Sequence, residues 1–162
     1  MIFPILANMP SKRDLIKMSD EEINEFLKGR HTMGIATILP NGWPHLVAMF
    51  YGFFPDNSLG IWTYAKSQKV KNLERDPKIS AIVETGESYS ELKGVSMLAE
   101  GEILTDKDSV LHIGRSLFER YFQYDKEGVP AEVEYMARKR VAIKIKPIKI
   151  ISWDHSKLGG TY

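Results

Sequence analysis

The spacing of apolar residues switches between a period of two and a period near 3.6, and the switches divide the chain into strands and a few helices. Ser19-Asp20-Glu21-Glu22 is a capping box, with Ser19 as N-cap and Glu22 reaching back. Ile23, Phe26 and Leu27 give the apolar stripe of that short helix, and Gly29 is placed to end it. Residues 31–39 alternate as a strand, with Met33, Ile35 and Leu39 on one side and Gly34, Ala36 and Ile38 on the other. Pro40-Asn41-Gly42 predicts a tight hairpin. The returning stretch, 43–54, is apolar almost throughout, so the pattern predicts one strand covered on both faces.

Pro55-Asp56-Asn57-Ser58 turns the chain into a strand over 59–64, which runs into a helix bearing Val70 and Leu73. Asp76-Pro77 stops that helix. Strands follow over 78–84 and 94–104, separated by a polar loop; Gly101 marks a bulge or a close backbone approach. From Asp106 the period is helical, with Val110, Ile113, Leu117, Phe118 and Tyr121 on one stripe. Pro130 suits position N1 of a shorter helix to about Lys139. The alternation of 141–146 is a strand, interrupted by Pro147 before a further strand over 148–153. Residues 1–18 read as a loosely structured arm able to lie across a partner. The sum is a mainly β protein with peripheral helices. Its six or seven short-linked antiparallel strands are economically closed as a small barrel.

A chain of 162 residues is one domain with a proper core, 1–162. The formal net charge of +1 calls for neither nucleic acid nor an acidic membrane surface. No apolar run approaches the roughly 20 residues that span a bilayer. The first residues lack the basic start of a signal peptide, and the absence of cysteine removes disulfides and thiolate chemistry. A cytoplasmic location is the expectation.

The four histidines, His31, His45, His112 and His155, are scattered without metal-ligand spacing, so no metal site is expected. Neither a G-x-S-x-G elbow nor a G-x-G-x-x-G turn is present. The strand-to-helix passage at 59–73 is different. Ser67 stands at the N-cap position, and Thr63, Lys66 and Lys69 gather a hydroxyl and two ammonium groups beside it. A helix N-terminus offers spare N–H donors and a positive dipole end, which suits a phosphate. An ordinary capped helix with solvated lysines reads the same residues equally well.

The order Thr63-x-x-x-Ser67-x-Lys69, followed by Asn72-Leu73-x-x-Asp76-Pro77, resembles the phosphate-binding segment of the pyridoxamine 5′-phosphate oxidase-like family. The resemblance extends over about 19–153. It includes Gly42-x-Pro44-His45 and the ending Trp153-Asp154-x-x-Lys157. It implies a six-stranded antiparallel split β-barrel, a homodimer with FMN at the subunit interface, and hydride transfer through flavin N5 on a small organic substrate. The resemblance puts Ser67, Lys69 and Lys66 at the phosphate with Thr63 beside it. His45, Leu46, Val47, Ala48, Met49 and Trp62 would line the ring, and the strand of Ser96 and Trp153 would approach from the other subunit. No residue has an acid–base role.

One position departs from the vitamin oxidases: Gln68 stands where they carry an arginine, and arginine is the better planar partner for phosphate. Their arginine- and histidine-bearing final segment has no counterpart here, so the vitamin oxidase itself is the less expected member. Two alternatives stay open. The deazaflavin coenzyme F-420 on the same fold would find extra basic residues at Lys71, Arg75 and Lys78. A non-catalytic flavin or haem carrier or sensor needs no acid–base group at all.

Overall fold

A computed structural model describes residues 11–124 and 127–159. The chain runs α1 (Lys12–Leu15), α2 (Asp20–Lys28), β1 (Met33–Ile38), β2 (Pro44–Met49), β3 (Gly52–Phe53), β4 (Leu59–Tyr64) and α3 (Gln68–Arg75). It continues through β5 (Lys78–Thr85), β6 (Lys93–Leu104), α4 (Lys107–Tyr121), α5 (Ala131–Ala137) and β7 (Arg140–Asp154). All seven strands form one antiparallel sheet in the order β2-β1-β5-β6-β7-β4-β3, curled into a half-barrel. This is the split-barrel fold with seven strands rather than six.

The extra strand comes from the stretch 43–54. It pairs with β1 as far as Met49, then crosses at Phe50-Tyr51 to the opposite edge of the sheet, where Gly52 and Phe53 pair with β4. One segment thus supplies both edges of the curl, and it must break to do so. The C-terminal strands merge instead. Pro147 is accommodated by a register shift at Leu98/Ala99, so β7 runs unbroken for 15 residues. Gly101 marks a close approach: a Cβ there would lie 2.6 Å from Ile79 Cδ1.

The hairpin after β1 closes as predicted, with Gly42 at φ 84° and its N–H on the Leu39 carbonyl. The capping box of α2 is formed in both directions. Of the N-terminal arm, residues 1–10 lie outside the described residues. Residues 16–18 pack on their own chain: Met18 is buried, its N–H donates to Ser152 Oγ at 3.1 Å, and the Ile16 carbonyl accepts from the Asp154 N–H at 2.7 Å.

Two cores result. The first fills the curl with Met33, Ile35, Ile61, Val83, Met97 and Ile143, closed by Ile23, Phe26 and Leu27 of α2 and by Val70 and Leu73 of α3. The second lies between β4/β7 and the pair α4/α5, around Trp62, Ile113 and Val133. β2 does not have both faces covered. Val47 and Met49 pack on the first core, while Pro44, Leu46, Ala48 and Phe50 stay exposed on the outer face.

Tyr51 anchors the crossing. It is fully buried and its hydroxyl donates to the Leu27 carbonyl at 2.7 Å. Burial, then the nearby Tyr121, push its phenol up to about 12. A group with a raised pKa stabilises the fold below its unfolded value and loses that contribution as pH rises through the folded one. Stability should therefore fall between pH 10 and pH 12 by about 1–2 kcal/mol more in the wild type than in Tyr51→Phe, after solvent screening. Urea unfolding across that range checks it; parallel curves for the two proteins would contradict it.

Candidate functional site

Strand β4 delivers Thr63 inward, because Ile61 and Thr63 share the face that lines the first core. The turn 64–67 then starts α3, with Ser67 in the extended N-cap conformation (φ −69°, ψ 156°). The expected cap bond is not made. Ser67 Oγ instead accepts from Thr63 Oγ1 at 3.3 Å, so the first N–H groups of α3 have no side-chain acceptor.

Lys69 is the unusual member. It is 9% exposed, and its Nζ donates to Thr63 Oγ1 at 2.9 Å. No carboxylate pairs with it among the described residues. Desolvation, and then repulsion by Arg140, hold its pKa below the ordinary lysine value. A buried ammonium with a single hydroxyl partner is poorly solvated, and an anion at the mouth of α3 would relieve that cost.

Gln68 turns away from this point. Its Nε2 donates to Asn72 Oδ1 at 2.9 Å, and Asn72, fully buried, donates to Thr37 Oγ1 at 2.9 Å. Thr37 stands opposite His45 in the β1–β2 ladder, and His45 Nδ1 is buried without a partner. His45, Thr63, Ser67 and Lys69 thus collect at one end of the curl. Lys66 is exposed on the turn beside them.

The other predicted positions lie elsewhere. Leu46 and Ala48 face outward and Val47 and Met49 inward; what β2 offers as a unit is its free backbone edge, since it ends the sheet. Trp62 turns its ring into the second core, where a Cβ on Gly114 would lie 3.0 Å from Trp62 Cζ2. Its side chain is therefore core, and only its backbone remains for a ligand. Ser96 and Trp153 belong to the outer face, apart from Lys69. Trp153 lies over Gly94, where a Cβ would come within 2.4 Å of Cζ2.

Sequence reasoning placed Asn72 in the motif but missed its support by Thr37, and missed Arg140 as the cation nearest Lys69. Asn72 had a signal: a polar residue on the stripe that also carries Val70 and Leu73. Arg140 had only its position before an alternating strand.

The sequence model for pyridoxamine 5′-phosphate oxidase matches residues 19–154. Among solved structures, the conserved hypothetical protein Rv2991 from Mycobacterium tuberculosis is 38% identical with a TM-score of 0.88, covering 94% of this chain and 95% of that one. An F420 reductase is 19% identical at a TM-score of 0.60, covering 88% and 98%. The haem storage protein HutZ from Vibrio cholerae is 17% identical at 0.62, covering 82% and 94%. These last two share the fold. No protein of curated function matches the sequence. With the match spanning nearly all of the two-core half-barrel, this chain belongs to the pyridoxamine 5′-phosphate oxidase family.

Proposed function

We propose that the protein is a homodimeric FMN-binding oxidoreductase acting on a small organic substrate. The observation that carries this reading is the buried Lys69 ammonium, held by Thr63 alone at the mouth of α3 with no carboxylate beside it. Lys69 Nζ, the Ser67 hydroxyl and the first amides of α3 bind the FMN phosphate, and Thr63 orients the lysine. Lys66 adds a solvated charge at the rim. The unpaired backbone edge of β2, from His45 to Met49, takes the polar edge of the ring, with the Trp62–Thr63 backbone beside it. Bound FMN supplies two-electron chemistry through its N5, and the chain supplies orientation and exclusion of water.

The outer face of the sheet supports the dimer. Leu46 is 68% exposed, Ile82 41% and Leu98 52%, and they flank Gly34 and Ala36 on neighbouring strands. A second copy covering this apolar face brings Ser96 and Trp153 of the partner towards the cofactor. FMN is preferred to the deazaflavin because the residues that would serve the longer acidic tail are occupied. Arg75 donates to the Ile38 carbonyl and Lys78 pairs with Asp76 at 3.4 Å, leaving Lys71.

Replacing Lys69 with alanine should weaken FMN binding by about 1.5–3 kcal/mol, the worth of a hydrogen bond to a charged group. Lys66→Ala should cost far less, since exposed charges are screened. Quenching of flavin fluorescence on titration measures both. Lys69→Met should at the same time raise the unfolding midpoint of the cofactor-free protein, because it removes an unpaired buried charge. Undiminished FMN affinity in Lys69→Ala would remove the phosphate assignment.

A further inference from the structure

The cleft between α4, α5 and the first residue of β7 shares Arg140 with the surroundings of Lys69, and its other walls have no part in the FMN binding proposed above. It has a volume of about 420 Å³, and its walls include Lys107, Leu111, Glu134, Ala137, Arg138 and Arg140. That volume is in the range of small-molecule sites, about 300–1,000 Å³. Arg140 enters from β7, where it pairs with Tyr64. Its guanidinium stacks on the rings of Trp62 at 4.6 Å and Tyr64 at 4.2 Å, and its Nε is buried with no acceptor. The aromatic contacts fix the guanidinium before any ligand arrives.

Three cations therefore face one carboxylate across this cleft. None of Lys107, Arg138, Arg140 and Glu134 forms an ion pair among the described residues. Val110, Leu111 and Ala137 give the wall an apolar stretch, with Thr105 beside it. We propose that the cleft binds a small organic monocarboxylate with an apolar body, its carboxylate on Arg140 and its hydrocarbon part on Leu111 and Ala137. A planar guanidinium fits a planar carboxylate in two parallel hydrogen bonds. Glu134 on the same wall penalises a dianion such as phosphate, and the apolar wall favours a hydrocarbon over a fully hydrated ion.

Calorimetric titration of the full chain with phenylacetate tests this. The expected result is saturable one-site binding, absent with the uncharged phenylacetamide and undisturbed by inorganic phosphate at the same concentration. Arg140→Gln should weaken it about tenfold or more. Leu111→Trp, which fills the cleft and leaves every cation in place, should do the same. Circular dichroism confirms that each variant folds, and should Arg140→Gln not fold, Leu111→Trp decides alone. Lack of saturable binding by the wild type, binding that survives the cleft-filling substitution, or displacement of phenylacetate by phosphate would overturn the assignment.

Discussion

Arg120→Ala is expected to destabilise the fold by about 3–4 kcal/mol, since hydrogen bonds to charged groups contribute roughly 1.5–3 kcal/mol each and do not add fully. From the last turn of α4, Arg120 donates to four carbonyls. Nε reaches Tyr51 at 3.1 Å, Nη1 reaches Lys28 at 3.1 Å, and Nη2 reaches Leu27 at 3.3 Å and Gly29 at 2.9 Å. Three of these acceptors are carbonyls at the C-terminal end of α2, where a cation also meets the negative end of the helix. The guanidinium further lies 4.9 Å from the ring centre of Tyr51 and 4.8 Å from that of Phe53. One side chain thus fastens α2, α4 and the crossing between the two edges of the sheet. Arg120→Lys should recover only a fraction, because an ammonium cannot reach four acceptors set around a plane. Urea unfolding measures both variants, and a loss below about 1 kcal/mol for alanine would contradict the clamp.

The second large effect concerns assembly. Ile82→Arg together with Leu98→Arg should convert the proposed dimer to a monomer without unfolding it. Both side chains are substantially exposed within one chain, at 41% and 52%, and neither contributes to the cores. In a two-fold interface each arginine would face a desolvated apolar surface and its own symmetry mate. Sedimentation equilibrium should show one chain per particle for the variant and two for the wild type, with the same circular dichroism. FMN binding should fall with the dimer, because Ser96 and Trp153 would no longer be delivered by a partner. An unchanged dimer, or a monomeric wild type, would contradict this use of the outer face.

Most of the fold was legible in the sequence because its signals are local. The Ser19 capping box forms as read, with Ser19 N–H on Glu22 at 2.7 Å, and the Asn41-Gly42 turn closes the first hairpin. The stripe Val110, Ile113 and Leu117 is the buried face of α4. What escaped depended on how strands curl. An unbroken apolar run at 43–54 gives no hint that Phe50-Tyr51 crosses between sheet edges. Nor does it show that one face of β2 stays exposed. Pro147 reads as an interruption, yet a register shift absorbs it.

The candidate site divides in the same way. Thr63, Ser67 and Lys69 were legible because one strand and one turn of helix hold all three. That Ser67 gives up its cap bond to accept from Thr63 is not dictated by the motif, and the anchoring of Gln68 on Asn72 depends on Thr37 from a strand distant in sequence. Trp62 was assigned to the ring side, but alternation along β4 sends its side chain to α4. Arg120 and Arg140 were invisible for a common reason: each acts on partners far away in sequence.

The most direct test of the central claim is a visible absorption spectrum of the purified protein, followed by mass analysis of whatever heat releases. The expected result is a two-banded yellow spectrum and released FMN, one per chain after saturation. A single shorter-wavelength band would assign the deazaflavin instead, and a haem spectrum would assign the carrier reading. A colourless protein that also refuses added FMN would contradict the flavin account.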